Sequence, residues 1–267
     1  MHALGEMMDM RGRIAMVTGA AGHLGRTMSA TLAELGFELV LVDRSEAVDE
    51  ALATAIRDRT GSKVSWVACD LESEESRVAM IRGLAGSGRG MNCLVNNAAF
   101  VGTSALEGWA VPFAEQSLNT WRRAFEVNLT AAFHLSQAFA PLLADSEGGN
   151  IINIASIYGE YGPDWALYEG TSMSNPAAYG ASKGGLIQFT RWLATTLSPN
   201  VRVNAIAPGG IFRNQPASFV ERYVARTPLR RMATEEDFRG TLAYLATDLS
   251  SYVTGQVLKV DGGWGVW

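Results

Sequence analysis

The stretch Arg13–Gly25, RIAMVTGAAGHLG, decides the fold of this chain. It begins with a short β-prone run and continues into a loop that contains glycines, after which Met28, Leu32 and Leu35 follow at helical spacing. A strand, a glycine loop and a helix in this order leave backbone N–H groups at a helix N-terminus, where a pyrophosphate can bind. Tight turns between a strand and a helix also need glycine for steric reasons, so the loop alone does not identify a ligand.

An acidic residue ends the next predicted strand. Residues 37–42 (FELVLV) form a second apolar run, and Asp43 follows it. A carboxylate at this place can accept hydrogen bonds from both hydroxyl groups of an adenosine ribose, and it repels a 2′-phosphate. The residue therefore favours NAD over NADP, although the guanidinium of Arg44 could instead hold the phosphate.

Strands and helices continue to alternate along the chain. Further strands are predicted at 63–68, 92–95, 150–155, 201–206 and 256–260, and further helices at 47–59, 73–84, 119–144, 177–197 and 235–247. This order is typical of an α/β protein with an open parallel sheet. Neither an internal repeat nor a linker interrupts it, so we expect one domain.

Composition and charge exclude several classes of protein. The 267 residues are 48% hydrophobic and 18% charged, as in globular domains, and the net charge of −5 argues against nucleic acid or an anionic membrane surface as the main partner. Residues 1–11 read as an N-terminal extension without the apolar core of a signal peptide, and no apolar run is long enough to span a bilayer. Cys69 and Cys93 lack metal-ligand spacing. We expect a cytoplasmic protein without a metal site.

Polar residues follow several predicted strands at their carboxyl ends, where ligands bind in open parallel sheets. Asp70 could face an adenine amino group and Asn97 could line the groove beside a cofactor, although an Asx turn explains either residue equally well. Ser156 could hydrogen-bond a substrate carbonyl oxygen. Asn128 lies within a predicted helix, where a buried asparagine usually has a partner.

A tyrosine and a lysine lie one helical turn apart in Tyr179-Gly-Ala-Ser-Lys183. At this spacing both side chains share one face of a helix. A neighbouring cation favours the phenolate, so the pair could act as a general acid or base nearer neutral pH than a free tyrosine. The alternative is an ordinary solvated pair on an amphipathic helix.

Eight motifs in a fixed order resemble those of a known family. They are Thr18-Gly19…Gly25, Cys69-Asp70-Leu71, Asn96-Asn97-Ala98, Asn128 in Val-Asn-Leu, Ser156, Tyr179…Lys183, Pro208-Gly209 and Val260-Asp261-Gly262-Gly263. Through them the chain resembles the short-chain dehydrogenase/reductase family over about residues 11–263. The resemblance implies one domain over residues 1–267 with a Rossmann-like doubly wound parallel sheet, about seven strands in the order 3-2-1-4-5-6-7, and helices on both faces.

The resemblance also implies the roles of four catalytic residues. Tyr179 would protonate a carbonyl oxygen during reduction or remove a hydroxyl proton during oxidation. Lys183 would lower the pKa of Tyr179 and hold the nicotinamide ribose. Ser156 would orient the substrate oxygen, and Asn128 would anchor a water that relays protons past Lys183.

The resemblance implies a nicotinamide dinucleotide cofactor, and Asp43 makes NAD the favoured one, with NADP as the less favoured alternative. Backbone groups near Ile211 would hold its carboxamide. The residues expected to bind the cofactor are Gly19, Gly22, His23, Leu24, Gly25, Asp43, Arg44, Asp70, Leu71, Asn97, Ala98, Tyr179, Lys183, Pro208, Gly209 and Ile211.

Three local departures from the family pattern stand out. His23 takes the place of a glycine in the usual T-G-x-x-x-G-x-G, so the loop reads G-x-x-G-x-x-G. Ala99 replaces the glycine of N-N-A-G. The threonine that usually follows Pro208-Gly209 is missing, and Asn214 or the backbone would take its role at the carboxamide.

A further departure is an insertion near the predicted site. Ser156 and Tyr179 are 23 positions apart, roughly ten more than is usual in the family, and the extra residues lie within 160–175. An insertion between two catalytic groups is expected to border the substrate, although a surface excursion is the alternative. The side chains predicted to contact substrate are Tyr161, Asp164, Trp165, Tyr168 and Glu169, with Thr171 beside them.

Aromatic surfaces and hydroxyl acceptors in the insertion favour a sugar or an activated sugar as substrate. The insertion and residues 208–216 are also similar to those of short-chain dehydrogenases of bacterial surface-sugar and flagellin-glycan (nonulosonic acid type) pathways. The polar loop 102–117 precedes the predicted helix 119–144, and the amphipathic segment 212–231 is expected to cover the substrate.

Two other functions stay open from the sequence. One is a 3-oxoacyl-thioester or steroid-type ketone reductase, for which arginines on the covering segment could attract an acidic carrier. The other is a non-catalytic NAD(H)-binding regulatory protein, although such a protein has no chemical need of all four catalytic residues. The family resemblance implies a homo-oligomer, a tetramer or dimer, with the long helices and the C-terminal 262–267 as the interface.

Overall fold

A computed structural model describes residues 2–101 and 106–267 of the chain. Residues 102–105 of the predicted polar loop 102–117 lie outside this range. Within the described part the chain forms a three-layer α/β domain, in which a parallel sheet lies between two layers of helices.

Seven parallel strands form the sheet, in the order β3-β2-β1-β4-β5-β6-β7. This order confirms the predicted fold. The strands are β1 (Ile14–Thr18), β2 (Glu38–Asp43), β3 (Val64–Ala68), β4 (Cys93–Asn96), β5 (Gly149–Ile154), β6 (Val201–Pro208) and β7 (Val257–Val260). The order reverses between β1 and β4, and ligands bind at such a switch point beyond the carboxyl ends of the strands.

Nine α-helices accompany the strands in the described ranges. They are α1 (Leu4–Met7), α2 (His23–Glu34), α3 (Glu50–Thr60), α4 (Glu74–Ala85), α5 (Leu118–Phe125), α6 (Ala131–Ala144), α7 (Ala177–Leu197), α8 (Ala217–Arg226) and α9 (Arg239–Ala246). The predicted helix 119–144 is continuous but widens into a π-helical turn at Glu126–Thr130, between α5 and α6. The last predicted helix begins as a 3₁₀ turn, Glu235–Phe238.

Each face of the sheet buries its own apolar core. On one face Leu32 of α2 packs with Leu41 of β2 and Leu242 of α9. On the other face Phe139 of α6 packs with Leu193 of α7. The N-terminal extension contributes as well, because Met10 is fully buried in the first core.

A third cluster lies outside the sheet, and we call it the outer cluster. It joins the insertion, α8 and the C-terminal segment, and its buried members are Ile157, Leu167, Phe219, Tyr223, Met232 and Trp264. None of the helices in the described part of the chain is both long and apolar enough to cross a membrane.

Candidate active site

The glycine loop between β1 and α2 leaves no room for side chains at two positions. A Cβ on Gly25 would lie 2.1 Å from the carbonyl oxygen of Gly19, and a Cβ on Gly19 would lie 2.8 Å from Cα of Ala98. Gly19 also has a φ of 64°, in the left-handed region that favours glycine. At Gly22 the corresponding nearest distance is 3.3 Å, so this glycine is less constrained.

The loop delivers the chain to the N-terminus of α2, which begins at His23. Gly22 is its N-cap residue, and no side chain of the described residues caps it. The backbone N–H groups of the first turn, which include those of His23 and Leu24, are therefore available to an anion. This geometry fits the pyrophosphate of a dinucleotide.

Asp43, the last residue of β2, lies directly beside this loop. Its Oδ2 accepts a hydrogen bond from the N–H of Ala21 at 2.9 Å, and its Oδ1 accepts one from the N–H of Arg44 at 2.9 Å. The guanidinium of Arg44 is turned to Glu46, with 3.2 Å between the paired atoms. The carboxylate and not the guanidinium is therefore the group held at the loop.

Asn97 fixes the shape of the loop through its side chain. Its Nδ2 donates to the carbonyl oxygens of Thr18 at 2.9 Å and Gly19 at 3.1 Å. The hydroxyl of Thr18 accepts from the N–H groups of Asn97 and Ala98, both at 3.1 Å. The side chain of Asn97 thus supports the cofactor groove by bracing the ends of β1 and β4.

Asp70 and Leu71 form the turn that follows β3. Oδ1 of Asp70 accepts from the N–H of Glu72 at 3.0 Å, which is an Asx turn, and the rest of its side chain is exposed. The carbonyl of Leu71 accepts from Arg77. Arg77 is buried and also pairs with Glu126 at 2.6 Å, which ties this turn to the π-helical segment.

The end of β5 and the face of α7 bring three predicted catalytic residues together. Lys183 donates from Nζ to the carbonyl oxygen of Ile154 at 2.6 Å. Ser156 follows β5 and its hydroxyl interacts with the phenol of Tyr179. The hydroxyl oxygen of Ser156 also accepts from the N–H of Tyr158 at 3.2 Å.

Burial dominates the electrostatics of Tyr179 and Lys183. Burial raises the pKa of Tyr179 above its ordinary value, and the Ser156 hydroxyl and the charge of Arg213 only partly offset this rise. Burial therefore sets the net direction of the shift, and the effect of Lys183 on the pKa of Tyr179 stays a prediction. Burial also lowers the pKa of Lys183 to about 8.

Asn128 is buried within the π-helical turn and joins two other segments. Its Oδ1 accepts from the N–H of Phe100 at 2.6 Å, and its Nδ2 donates to the hydroxyl of Ser182 at 3.0 Å. The Ser182 hydroxyl in turn donates to the carbonyl of Tyr179 at 3.0 Å. Asn128 therefore braces the turn of α7 that separates Tyr179 from Lys183.

The segment after β6 packs closely against the C-terminal strand. Pro208 ends β6, and a Cβ on Gly209 would lie 2.7 Å from Cα of Asp261. The carbonyl of Ile211 accepts from the side chain of Gln215 at 2.7 Å. Asn214, the residue expected to replace the missing threonine, has a φ of 57° in the left-handed region.

A cavity of about 610 Å³ lies near these groups, although Ser156, Tyr179 and Lys183 are not among its lining residues. Tyr158, two residues after Ser156, lies in its wall, and so does Gly180, next to Tyr179. Its lining comprises Ala110, Val111, Pro112, Phe113, Gln116, Tyr158, Tyr161, Gly162, Pro163, Trp165, Thr171, Ser172, Met173, Ser174, Asn175, Pro176, Ala177 and Gly180. Most of the wall comes from the insertion and from the start of α7.

The predicted substrate residues divide between this cavity and other contacts. Tyr161 and Trp165 line the cavity. Tyr168 lies behind the wall, where its hydroxyl is 2.8 Å from that of Tyr158. Asp164 and Glu169 are not among the lining residues. Both contact α8 instead, and no contact of theirs with substrate is supported by the position of this cavity.

Two arginines of α8 hold the insertion in place. Arg226 forms an ion pair with Asp164, and its guanidinium lies 4.3 Å from the ring centroid of Trp264. Arg222 donates to the carbonyl oxygen of Glu169 at 2.6 Å. The side chain of Asp164 and the backbone carbonyl of Glu169 therefore bind α8, and neither residue lines the cavity.

Some contributors to the site were missed by the sequence analysis. Tyr158 and Asn175 have no distinguishing pattern in the sequence, and Thr18 was noted only as part of the glycine-loop motif. Arg77 does have a distinguishing pattern, because it occupies the buried face of α4 three residues before Met80, where a charge is unexpected. Gln116 caps α7 by accepting from the N–H of Ala177 at 3.1 Å.

Comparison with known proteins agrees with this geometry. Residues 19–265 match the sequence family described as enoyl-(acyl carrier protein) reductase. A cis-4-hydroxycyclohexanecarboxylate dehydrogenase from Sinomonas cyclohexanicum is 33% identical over 94% of this chain and 96% of its own. The post-translational flagellin modification protein A of Campylobacter coli is 30% identical over 96% of this chain and 100% of its own.

Solved structures lead to the same family. A candidate NAD(P)-dependent gluconate 5-dehydrogenase from Beutenbergia cavernae, crystallised with NADP at low occupancy, is 35% identical, with a TM-score of 0.85 over 98% of this chain and 100% of the other. Its fold, the sequence match and the arrangement of Ser156, Tyr179 and Lys183 agree. The chain is an oxidoreductase of the short-chain dehydrogenase/reductase family.

Proposed function

We propose that this protein interconverts a secondary alcohol and a ketone on a sugar or activated sugar, with NAD preferred over NADP. The observation that carries the proposal is the meeting of Ser156, Tyr179 and Lys183 at the end of β5, beside a cavity that the insertion encloses. The glycine loop and the uncapped start of α2 fit a dinucleotide.

The four catalytic residues divide the proton chemistry between them. Tyr179 donates a proton to the carbonyl oxygen during reduction and accepts it from the hydroxyl during oxidation. The hydroxyl oxygen of Ser156 accepts from the Tyr158 N–H, so its own proton can be donated to the substrate oxygen. Lys183 stabilises the Tyr179 phenolate once the proton has left. The bound nicotinamide supplies or accepts the hydride.

Asn128 and the glycine loop complete the site. Asn128 holds the turn of α7 and, by family resemblance, anchors a water on the path of the proton beyond Lys183. Gly19, Gly25 and the N–H groups that open α2 would hold the pyrophosphate. Asp43 would accept from the ribose hydroxyls, and Pro208 to Ile211 would border the nicotinamide.

The preference for NAD rests on Asp43. Its carboxylate lies at the loop, where the 2′-phosphate of NADP would meet a negative charge. Arg44, the residue able to neutralise that phosphate, is paired with Glu46. The Beutenbergia cavernae relative holds NADP, so the proposal concerns the residues of this chain and not the family as a whole.

A hydroxylated ring suits the cavity wall. Tyr161 and Trp165 offer aromatic surfaces, and Gln116, Ser172 and Ser174 offer hydrogen-bonding groups along the same wall. The relatives named above include a candidate gluconate dehydrogenase and a flagellin modification protein, which supports a carbohydrate substrate.

The second candidate is reduction of an oxoacyl thioester or steroid-type ketone, which the description of the matching sequence family favours. Attraction of an acidic carrier would need free cations at the mouth. Arg213 pairs with Glu235 at 3.2 Å, Arg226 with Asp164, and Arg231 with Asp237 at 2.5 Å. Among the described residues, Arg222 and Arg230 contact only backbone carbonyl oxygens, so their charges could still attract an acidic carrier. The sugar proposal is preferred because of the polar, aromatic cavity wall.

The test is NADH absorbance with the purified protein across free sugars, sugar phosphates, nucleotide sugars, acyl thioesters and steroids, with NAD and NADP compared. Tyr179→Phe serves as the matched variant. Turnover confined to sugars and lost in the variant supports the proposal. Turnover confined to thioesters or steroids overturns it, and NADH binding with unchanged biological activity in Tyr179→Phe favours a non-catalytic regulatory protein.

We also propose self-association through the long helices, in a dimer or tetramer located in the cytoplasm. Phe133 of α6 stands beside Phe189 of α7, which stacks on Trp192, and Phe133 and Trp192 are exposed. Trp264 belongs to the outer cluster, so only Val266 and Trp267 remain exposed at the C-terminal part of the predicted interface. A monomeric mass in light scattering at micromolar concentration would contradict this assembly.

A further inference from the structure

Three polar side chains that the mechanism leaves unused meet at the cavity wall. The hydroxyls of Tyr158 and Tyr168 lie 2.8 Å apart, and the amide of Asn175 partly offsets the rise in the pKa of both phenols. Tyr158 and Asn175 border the cavity, while Tyr168 stands behind them. Asn175 is only 8% exposed. We call these three residues the wall cluster.

The wall cluster offers both a hydrogen-bond donor and an acceptor. Burial raises the pKa of both phenols, so each keeps its proton. One of the two O–H groups is used between the phenols, which leaves the other as a donor. The carbonyl oxygen of the Asn175 amide adds an acceptor. A hydroxyl group is the ligand that can use both, since it donates one hydrogen bond and accepts others.

The cavity carries no side-chain charge among its lining residues, apart from the neutral phenols of its tyrosines. None of the eighteen residues in its described wall is Asp, Glu, Lys, Arg or His. Two acidic residues that flank the wall in sequence are paired elsewhere, Glu160 with Lys259 and Asp164 with Arg226. A carboxylate or phosphate against this wall would lose its hydration without gaining a counter-charge from the lining residues, which is unfavourable.

The position of Tyr158 links this wall to the reacting atoms. Its N–H donates to the hydroxyl oxygen of Ser156, and its side chain reaches the cavity. A substrate held by Ser156 at its reacting oxygen and by Tyr158 at a second oxygen would be fixed at two points. Two such points orient a ring relative to the cofactor.

We propose that Tyr158 and Asn175, supported by Tyr168, form a subsite for one uncharged hydroxyl group of the substrate, so that the part of the substrate inside the cavity is neutral. This inference rests on the proposed function and narrows it. It selects polyhydroxylated or hydroxyketone rings over rings that carry a carboxylate or a phosphate within the cavity.

The experiment compares ketones that share one ring. Cyclohexanone, its 2-, 3- and 4-hydroxy derivatives and 4-oxocyclohexanecarboxylate are reduced with NADH by the wild type, Tyr158→Phe and Tyr161→Phe. Tyr161 is the matched control because this tyrosine also lines the cavity, while its hydroxyl is already bonded to the Gly265 carbonyl at 3.0 Å and to Lys259 at 2.7 Å.

The wild type is expected to reduce at least one hydroxyketone with kcat/KM about tenfold above that of cyclohexanone, the factor that one net hydrogen bond supplies. The carboxylate should be the poorest substrate. Tyr158→Phe should bring the ratio of hydroxyketone to cyclohexanone within about twofold of unity, whereas Tyr161→Phe should preserve the ratio. An unchanged ratio in Tyr158→Phe, or a preference for the carboxylate, would overturn the subsite.

Calorimetric binding of the same ketones to the protein with NADH separates this inference from the proposed function. If no ketone is reduced but the hydroxyketones bind more tightly than cyclohexanone in a Tyr158-dependent way, the subsite is supported and the proposed reaction is not. If hydroxyketones and cyclohexanone bind equally, or none of them binds, the subsite is wrong.

Discussion

The ammonium nitrogen of Lys183 donates a hydrogen bond to the carbonyl oxygen of Ile154 across 2.6 Å. Ile154 ends β5, and Ser156 follows two residues later, so the bond ties the catalytic helix to the strand that carries the serine. An ammonium has three protons, and the other two stay available to a cofactor ribose and to the Tyr179 oxygen. The bond also offers partial compensation for a cation that is only 2% exposed.

Replacing Lys183 by methionine should change how stability depends on pH. Burial lowers the pKa of Lys183 from 10.5 to about 8, so the wild type gains stability as pH rises from 8 to 10.5 and has the full penalty below pH 8. As pH falls from 10.5 to 8, the free energy of unfolding of the wild type should decrease by roughly 3 kcal/mol relative to that of Lys183→Met. Urea titrations across the window measure this shift.

Lys63→Met is the control for this comparison, because Lys63 is 80% exposed and pairs with Glu38 at the surface. Its free energy of unfolding should follow the wild type across the same pH range. Parallel curves for Lys183→Met and the wild type would contradict the prediction.

Alanine at Gly25 and at Gly22 should have unequal effects. At Gly25 the new Cβ would meet the Gly19 carbonyl oxygen at 2.1 Å, so the loop must deform. Because the loop would hold the pyrophosphate, NADH binding should weaken at least about a hundredfold. At Gly22 the closest atom is at 3.3 Å and binding should change by less than about tenfold. Fluorescence titration with NADH tests both, and equal losses would argue against the described loop.

Asn128 and Ser182 should be energetically coupled. Asn128→Ala leaves the N–H of Phe100 without its partner and is expected to cost about 2 kcal/mol or more of unfolding free energy. Ser182→Ala removes the hydroxyl between Asn128 and Tyr179. A double-mutant cycle should give a coupling of about 0.5–1.5 kcal/mol. Strict additivity would show that the two side chains act independently.

Asp43→Ser should shift the cofactor preference toward NADP. The change removes the negative charge that meets the 2′-phosphate while it keeps a small hydroxyl beside Ala21. The ratio of kcat/KM for NADP to that for NAD should rise about tenfold or more, since one like-charge contact contributes at least ~1.4 kcal/mol at such a site. A constant ratio would assign cofactor choice to other residues.

Different substitutions within the insertion should affect either substrate binding or stability. Trp165→Ala removes a cavity wall and should raise KM severalfold, with little change in melting temperature because Trp165 is 56% exposed. Asp164→Asn should instead lower the melting temperature by breaking the pair with Arg226. Glu169→Gln is the control, since the contact to Arg222 uses its backbone carbonyl. A KM effect of Glu169→Gln equal to that of Trp165→Ala would place Glu169 at the substrate.

Local sequence signals predicted the alternating strands and helices of a parallel sheet, whereas its strand order was expected from the family resemblance. Spacing alone places Tyr179 and Lys183 on one face of a helix, and their catalytic roles were implied by the resemblance. Local patterns could not predict contacts between residues that are far apart in the sequence. Asp164 meets an arginine 62 positions away, and neither residue shows this in its own neighbourhood.

The burial of the Tyr179 phenol was beyond local sequence signals for a related reason. The sequence shows the cation one turn away but not the depth of the phenol, and burial raises the pKa of Tyr179 more than its neighbours lower it. The π-helical turn around Asn128 was missed as well, because the apolar periodicity of 119–144 does not distinguish it from a regular helix.

The outer cluster shares none of its buried residues with the two cores of the sheet. Ile157, Leu167, Phe219 and Trp264 are brought together by segments that leave the sheet and return to it. The side chains behind the cavity therefore pack in a cluster of their own, which meets the catalytic residues at Ile157, the neighbour of Ser156. Such a division allows the pocket to diverge during evolution, or to be exchanged between relatives by grafting the insertion together with α8, while the chemistry stays the same.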